Sequence, residues 1–343
     1  MYDMSPNKKI NVVLLTSVPQ TSTPYCCLYD NLKNKYSELF NIILVGKIAS
    51  LDILKENTGS IDIISNNRNE KKTDSNLSMF SQIKIKIKNI PGVLTLWQRF
   101  PRILRFSYLK IEYQREYQRS VKVNRRSKLK SFFLAPSLCI GSAFQQRLAK
   151  RVENARKDKF KYSPISPHEC DILFQRGGGY QKLVSKIIAK EPHVLVQLGW
   201  GIINKHLLNI PCWGMLSWHH GVMPNLRGIY TPTWAVAHNR IDFFGITLQR
   251  LNEGIDTGKI VSIKSFDPKE VTNYVQAYLK LDEFSIKMTI DALKGLQEGK
   301  NIIIDENIDA LSGEYHNVFG IIDIIKFLIN KRSFFSNQSD SIT

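Results

Sequence analysis

Short apolar runs alternate with amphipathic stretches along the chain, and this alternation predicts an α/β fold. Residues 10–16 and residues 41–46 are apolar runs with the length of a buried strand. Between them, apolar side chains recur at the spacing of one helix face: Tyr25, Leu28, Leu32, Tyr36 and Leu39. A strand, a helix and a strand joined by short links are the beginning of a doubly wound sheet.

The same alternation returns in the second half of the chain. Further apolar runs predict strands over residues 171–174, 192–199, 213–216, 244–250 and 260–266. Apolar side chains at helical spacing predict helices over residues 183–188, 275–296 and 319–331, and a further short helix is predicted to end at Leu208. Strands that alternate with helices are typical of a mostly parallel sheet with helices on both faces.

A polar and strongly basic region lies between the two halves. Residues 65–76 are polar throughout, which predicts a loop. Residues 81–161 hold 21 Lys/Arg and 4 Asp/Glu, a net charge of +17, so the rest of the chain contributes only +1 to the total of +18. Apolar side chains at helical spacing within the region predict a basic helical insertion: Trp97, Phe100, Leu104, Tyr108 and Ile111.

The basic segment, residues 81–161, admits three interpretations. Its charges form a solvated face, or they attract an anionic small molecule, or they bind nucleic acid or a membrane surface. The sequence has no recognised nucleic-acid-binding motif, so a nucleic-acid partner is not predicted. A membrane surface stays open as an alternative that the pattern does not favour.

The cysteines and histidines predict a reduced protein without a metal. Five cysteines without a C-x-x-C pair fit packed thiols in the cytoplasm better than a disulfide framework. The seven histidines show no H-E-x-x-H or similar spacing, so we expect no metal ligands. No run approaches the roughly 20 apolar residues of a membrane-spanning helix. The N-terminal apolar run, residues 10–15, predicts a first strand and not a signal peptide.

The candidate chemistry lies at the end of the strand predicted over residues 213–216. Ser217 and His219 are two positions apart, so on an extended backbone they point to the same side. His219 suits proton transfer because an unperturbed histidine has a pKa of about 6.5. Asp256 lies between Gly254 and Gly258 in a loop between two predicted strands. A base, an orienting carboxylate and a hydrogen-bond donor are the groups that acyl transfer requires.

Five sequence elements from about residue 192 to residue 261 resemble the catalytic domain of the 10-formyltetrahydrofolate-dependent formyltransferases. In order they are Leu198-Gly199-Trp200-Gly201, Ser217-Trp218-His219-His220-Gly221, Met223-Pro224 with Arg227-Gly228, Gly245-Ile246-Thr247, and Asp256-Thr257-Gly258. The resemblance implies a Rossmann-like, doubly wound and mostly parallel sheet of the formyltransferase type. It also implies an enzyme that uses 10-formyltetrahydrofolate as formyl donor.

The family's catalytic trio is Asn, His and Asp, and the resemblance assigns the last two roles to His219 and Asp256. Ser217 occupies the position of the asparagine, whose amide donates to the formyl oxygen in the family. The loss of one such donor can cost about 10²–10³-fold in rate. Family members hold the pterin through backbone groups of two loops. By position these are Leu198, Gly199, Trp200, Gly201, Asn252, Glu253, Gly254 and Ile255.

The resemblance also divides the chain and suggests an acceptor. Residues 1–64 are expected to be the first part of the α/β domain, 65–161 the insertion, 162–266 the catalytic part and 267–343 a helical C-terminal region. Methionyl-tRNA formyltransferases add a C-terminal β-barrel, whereas the residues after Phe266 have a mostly helical pattern. We therefore expect closer similarity to sugar N-formyltransferases. The acceptor would be a small amine, anionic if the basic segment attracts it, such as a nucleotide-linked amino sugar.

Two alternatives stay open at this point. In the first, the protein is a non-catalytic binding protein on a formyltransferase scaffold, and the basic segment is its working surface. In the second, it is a formyl-folate hydrolase or a related one-carbon or carbamoyl-type transferase. Substitutions of His219 and Asp256 would leave the first function intact, and folate release without an amine would indicate the hydrolase.

Overall fold

An eight-stranded sheet is the centre of the protein. The computed structural model describes residues 8–20, 22–49, 62–64, 128–160, 162–175, 179–304 and 312–335. The strands are β1 Ile10–Ser17, β2 Phe40–Ile48, β3 Asp62–Ile64, β4 Ile172–Gln175, β5 Val194–Leu198, β6 Met215–His219, β7 Leu226–Gly228, β8 Gly245–Arg250, β9 Lys259–Ser265 and β10 Glu314–His316. The main sheet has the order β3-β4-β2-β1-β5-β6-β8-β9, and β10 pairs with β7 in a separate small sheet.

Helices cover both faces of the sheet. They are α1 Thr23–Asn34, α2 Lys128–Lys159, α3 Tyr180–Ile188, α4 Lys205–Leu208, α5 Thr231–Ala237, α6 Tyr274–Gln297 and α7 Ile321–Phe334. Alternate residues of β1 enter two different apolar clusters. Val12 and Leu14 pack in the cluster that contains α1 and α6, whereas Val13 and Leu15 pack in the cluster that contains α3. Burial on both faces explains why β1 is an almost continuous apolar run.

The order of the strands creates a switch point between β1 and β5. From β1 the chain builds the sheet through β2, β4 and β3 on one side, and from β5 it continues through β6 on the other. These strands pair in parallel, whereas β8 and β9 complete the edge in antiparallel pairing. Open α/β sheets bind ligands at the carboxyl ends of the strands beside such a switch point.

The predicted fold class is confirmed, since the sheet is mostly parallel and helices flank it and continue to residue 334. The pattern missed β3, β7 and β10, which are three residues each, and α5, whose seven residues are all buried. A helix that is buried all round has no apolar period to detect.

Most of the predictions for the polar and basic region concern residues that the structure does not describe. The predicted loop over residues 65–76, most of the basic segment and Gly177-Gly178 lie outside the described residues. The chain divides into two compact units, residues 1–66 with 140–343 and residues 67–139. Among the helices of the described ranges, none combines the length and apolar character needed to cross a membrane.

Candidate active site

His219 is the last residue of β6 and lies beside Asp256 at the carboxyl edge of the sheet. Its side chain is 7% exposed, and its Nδ1 is 3.5 Å from Oδ1 of Asp256, which is 18% exposed. The antiparallel pairing sets His219 opposite Thr247 on β8, and the chain then leaves β8 through the loop that carries Asp256. The two residues that sequence position singled out are thus brought together.

Backbone and side-chain donors hold the Asp256 carboxylate in place. Its Oδ2 accepts a 2.9 Å hydrogen bond from the backbone N–H of Gly228, and its Oδ1 accepts a longer one of 3.4 Å from Gln249 Nε2. Gln249 also accepts from the N–H of Gly258 at 3.1 Å, which fixes the end of the loop. The backbone of Asp256 itself has a φ of 49°, a left-handed conformation that is uncommon outside glycine. The loop is therefore built around this carboxylate.

The other ring nitrogen of His219 is also engaged. Nε2 lies 2.9 Å from the carbonyl oxygen of Leu226, and since a carbonyl only accepts, Nε2 carries the hydrogen of this bond. Nδ1 therefore faces the carboxylate either as the unprotonated nitrogen or, in the imidazolium, as a second donor. This arrangement suits a proton that moves between His219 and Asp256.

Thr247 supports the turn that follows His219. Its hydroxyl donates to the carbonyl of Gly221 at 2.7 Å and accepts from the N–H of Met223 at 3.1 Å. The side chain is fully buried, so both bonds are shielded from water. Thr247 belongs to the Gly-x-Thr element, and these two bonds show why a hydroxyl side chain suits that position.

Ser217 lies on β6 two residues before His219 and pairs with Gln249 on β8. Its side chain is half-buried, and within the described ranges its hydroxyl makes no hydrogen bond. A hydroxyl that is not committed to the protein can turn toward a ligand.

The first of the two predicted pterin-binding loops is a turn with two left-handed glycines, Gly199 with φ 75° and Gly201 with φ 88°. The chain's own side chains occupy its four carbonyl oxygens. Thr16 and Gln20 each donate to Leu198 at 3.0 Å, Ser17 to Gly199 at 3.2 Å, Lys47 to Trp200, and Gln197 to Gly201 at 2.7 Å. A ligand in this turn would thus meet a backbone that these hydrogen bonds hold in place.

The second predicted pterin-binding loop is closed by Asn252. Its side-chain oxygen accepts from the N–H of Gly254 at 3.0 Å and from the hydroxyl of Thr257 at 2.7 Å, and its amide donates to the Thr257 carbonyl at 2.7 Å. Glu253 and Ile255 are exposed at the tip, Ile255 by 60%. Gly254 is required because a Cβ there would lie 2.0 Å from Thr257 Oγ1.

A buried ionic network includes His220, the residue that follows His219 in the sequence. Asp282 on α6 is fully buried and accepts two 2.7 Å hydrogen bonds from Arg156 on α2. His220 Nε2 lies 3.3 Å from the same carboxylate, and the His220 ring stacks on Tyr278. Sequence reasoning did not find Arg156 or Asp282, because neither belongs to a motif and 126 residues separate them.

The network sets the charge states of its members. Burial alone would raise the pKa of Asp282, but the hydrogen bond from His220 and the charge of Arg156 hold it below its usual range. Burial lowers the pKa of His220 in spite of the contact with Asp282. The structure therefore favours an ionised Asp282 paired with Arg156 and a neutral His220 next in sequence to His219.

A known protein family matches the part of the chain that holds His219 and Asp256. Residues 146–293 match the family model described as formyl transferase, and this range contains both residues. The resemblance predicted from residues 192–261 is therefore confirmed: this part of the chain is similar to the formyl transferase domain of known enzymes.

The relatives by sequence are methionyl-tRNA formyltransferases. The enzyme of Caldicellulosiruptor saccharolyticus is 29% identical over 125 residues, which are 36% of this chain and 39% of that protein. The enzyme of Lachnospira eligens is 23% identical over 180 residues, 50% of this chain and 56% of that protein. The chain thus spans between about two fifths and just over half of the length of these relatives.

Solved structures of formyltransferases are also similar to the chain. A sugar N-formyltransferase from a Shewanella species has a TM-score of 0.44 and 12% identity, and the match covers 92% of this chain and 86% of that one. Glycinamide ribonucleotide transformylase 1 from Symbiobacterium toebii has a TM-score of 0.43 and 10% identity, with 87% and 95% covered.

Proposed function

We propose that the protein is an N-formyltransferase that moves a formyl group from 10-formyltetrahydrofolate to the amine of a small acceptor. The observation that carries the proposal is the contact of 3.5 Å between His219 and Asp256 inside the formyl transferase domain. The pair lies at the end of β6, next to β5 and the switch point, where α/β sheets bind their ligands.

In the proposed reaction the acceptor amine forms a bond with the formyl carbon, and the bond from that carbon to the folate nitrogen breaks. The amine loses one proton and the folate nitrogen gains one. The donor supplies the activated formyl group, and the protein supplies proton transfer and charge stabilisation. His219 and Asp256 act as one unit that takes up the amine proton and returns one proton to the folate nitrogen, so both residues end the reaction in their initial state.

The Nε2–H of His219 is the polarising group in this scheme. In the described structure it donates to the Leu226 carbonyl, and the proposal requires that the formyl oxygen replaces this acceptor when substrate binds. Ser217, on the same strand, is a second donor to that oxygen, weaker than an asparagine because its side chain is shorter. Backbone N–H groups would supply the rest of the stabilisation.

The residues proposed to hold the folate are Leu198, Gly199, Trp200, Gly201, Asn252, Glu253, Gly254 and Ile255. Two observations support the fit. The first turn is fixed by side-chain hydrogen bonds, and a Cβ at Gly201 would have only Lys47 Nζ within 4 Å, so the turn is open to a close approach. Apolar side chains are exposed at both loops, Ile255 by 60% and Ile202 by 91%, and could cover an aromatic ring system.

The acceptor we propose is a nucleotide-linked amino sugar. After β9 the described residues form α6, α7 and the three-residue β10, which is a helical arrangement and not a β-barrel within ranges 266–304 and 312–335. The excess of Lys/Arg over residues 81–161 would favour an anionic acceptor. All five cysteines are free thiols, which agrees with a reducing cytoplasm.

The test is the release of tetrahydrofolate from 10-formyltetrahydrofolate by the full chain, with and without candidate amines. Nucleotide-linked amino sugars form one arm, and methionyl-tRNA and glycinamide ribonucleotide form the others. Acceptor-dependent release that is lost in Asp256→Asn supports the proposal. Release without any amine would instead identify a hydrolase. A folded protein that neither binds the donor by calorimetry nor releases folate with any acceptor contradicts the proposal.

A further inference from the structure

Two histidines and a glutamate that have no part in the proposed reaction meet at the junction of α5 and β10. His238 follows the last residue of α5, and Glu314 and His316 are the two ends of β10. One ligand atom from each of the three lies within 4.8 Å of the other two. The Glu314 carboxylate already lies 3.0 Å from Nε2 of His316.

Both imidazole rings of this cluster pack against an aromatic ring. Trp234 is buried, and its ring stacks on His316 with 4.3 Å between centroids and meets His238 edge-on at 5.5 Å. The two imidazoles are 5.2 Å apart in a T-shaped arrangement. The Trp234 indole N–H donates to the carbonyl of Asn317 at 2.8 Å, which ties the tryptophan to the end of β10. The buried tryptophan is therefore a common packing partner of both rings.

From this geometry we infer that His238, Glu314 and His316 form a zinc site. Two imidazole nitrogens and one carboxylate oxygen are a common protein ligand set for zinc, with a fourth position for water. At Zn–ligand distances of about 2.0–2.1 Å, neighbouring tetrahedral ligands are about 3.3 Å apart. The pair of Glu314 and His316 is already near this separation. The exposed Glu314 and the side chain of His238 at the helix end supply the remaining movement.

A zinc ion here would connect α5 to the active-site loop. His316 pairs with Gly228 in the sheet of β10 and β7, and the N–H of Ile229 donates to the His316 carbonyl at 3.1 Å. Gly228 is the residue whose N–H holds Asp256. The ion would thus stabilise the backbone that positions the candidate catalytic carboxylate.

The sequence predicted no metal because the ligands do not form a compact motif. Glu314 and His316 give only an E-x-H pair on a short strand, and His238 lies 78 residues before His316 in a different element. The pairing of β10 with β7 brings the pair to the end of α5. The site becomes visible only in three dimensions.

The experiment is a calorimetric titration of the metal-free full chain, without an affinity tag, with zinc chloride. We expect one equivalent to bind, and we expect His238→Ala and Glu314→Gln each to weaken binding by at least about tenfold. His206→Ala, which removes an exposed histidine on α4, is the matched control and should bind as the wild type does. Zinc should raise Tm in the wild type and in this control, and much less in the two ligand variants.

Glu314→Gln changes an exposed side chain by one atom and keeps the fold, which circular dichroism can verify. The inference is overturned if the wild type binds no zinc, or if both ligand variants bind it with wild-type affinity. The readout is metal binding alone and uses no folate or amine. A failure here therefore leaves the proposed formyl transfer untouched, and the reverse also holds.

Discussion

Asp282→Ala is the sharpest test of how much the buried ion pair of Asp282 and Arg156, next to the candidate site, stabilises the protein. The Asp282 side chain is fully buried and that of Arg156 is 14% exposed. The substitution removes two charge-assisted hydrogen bonds of 2.7 Å and leaves the guanidinium in a site that water barely reaches. Breaking a buried ion pair from one side costs about 3–5 kcal/mol, mostly because the remaining charge is buried without its partner.

Glu153 determines where in this range the loss in the free energy of unfolding should fall. Its carboxylate accepts from Arg156 at 3.0 Å and is 27% exposed, so the guanidinium keeps one partner after the substitution. We therefore expect a loss of about 3 kcal/mol in the free energy of unfolding, at the lower end of the range for a broken buried pair. The double variant Arg156→Met/Asp282→Leu should recover most of it, because it removes both charges together.

Urea denaturation followed by tryptophan fluorescence is the appropriate assay, and the m-value should stay constant. Asp291→Ala is the matched control on the same helix, because it breaks only the solvent-exposed pair with Lys287 and should cost far less than Asp282→Ala. If Asp282→Ala costs no more than Asp291→Ala, the network does not carry the stability assigned to it. A double variant less stable than Asp282→Ala would refute the desolvation argument specifically.

Three further outcomes are expected. Asp256→Asn and His219→Asn should each reduce kcat for acceptor-dependent formyl transfer by about 10²–10⁴-fold with an unchanged circular dichroism spectrum, and activity within threefold of the wild type would remove them from the proposed mechanism. Ser217→Asn should maintain or raise kcat, since it restores the longer donor; a large loss would show that the serine has a specific role of its own. Burial lowers the pKa of His220 below its ordinary 6.5. The unfolded chain therefore binds this proton more readily, and stability falls as pH decreases from 6.5 toward the lower folded pKa. His220→Gln should flatten that part of the stability profile relative to the wild type, and an identical slope in both proteins would contradict the assignment.

Local patterns in the sequence were sufficient for seven of the eight strands of the main sheet and for the choice of the candidate pair. The strands β1 and β5 are apolar on both faces, so they stand out as short uninterrupted runs. His219 and Asp256 were recognisable because each lies in a motif of fixed spacing beside glycines. Their contact of 3.5 Å depends on the pairing of β6 with β8, which the order of the motifs implied but could not demonstrate.

The groups that the sequence did not reveal are those whose function depends on distant partners. Arg156 and Asp282 are ordinary charged residues on amphipathic helices, and only the packing of α2 near α6 turns them into a buried pair. The α5 helix has no polar face and so no period, and β10 has only three residues, although its pairing with β7 places His316 beside Gly228. Long-range pairing, not residue type, determines these features.

The substitution of serine for asparagine at position 217 acquires a physical meaning once the contacts of His219 are known. Nε2 of His219 is bound to Leu226 and Nδ1 faces Asp256, so neither nitrogen is available to a ligand without the exchange of a partner. Ser217 is half-buried on the same strand, with a hydroxyl that is uncommitted within the described ranges. An asparagine could reach a formyl oxygen while His219 kept its bond to Leu226, whereas a shorter serine leaves more of the polarisation to Nε2–H. In this protein, therefore, the release of the Leu226 carbonyl becomes a required step of the proposed reaction. Ser217→Asn should make formyl transfer less dependent on His219, and comparing kcat for His219→Asn in the two backgrounds measures that coupling.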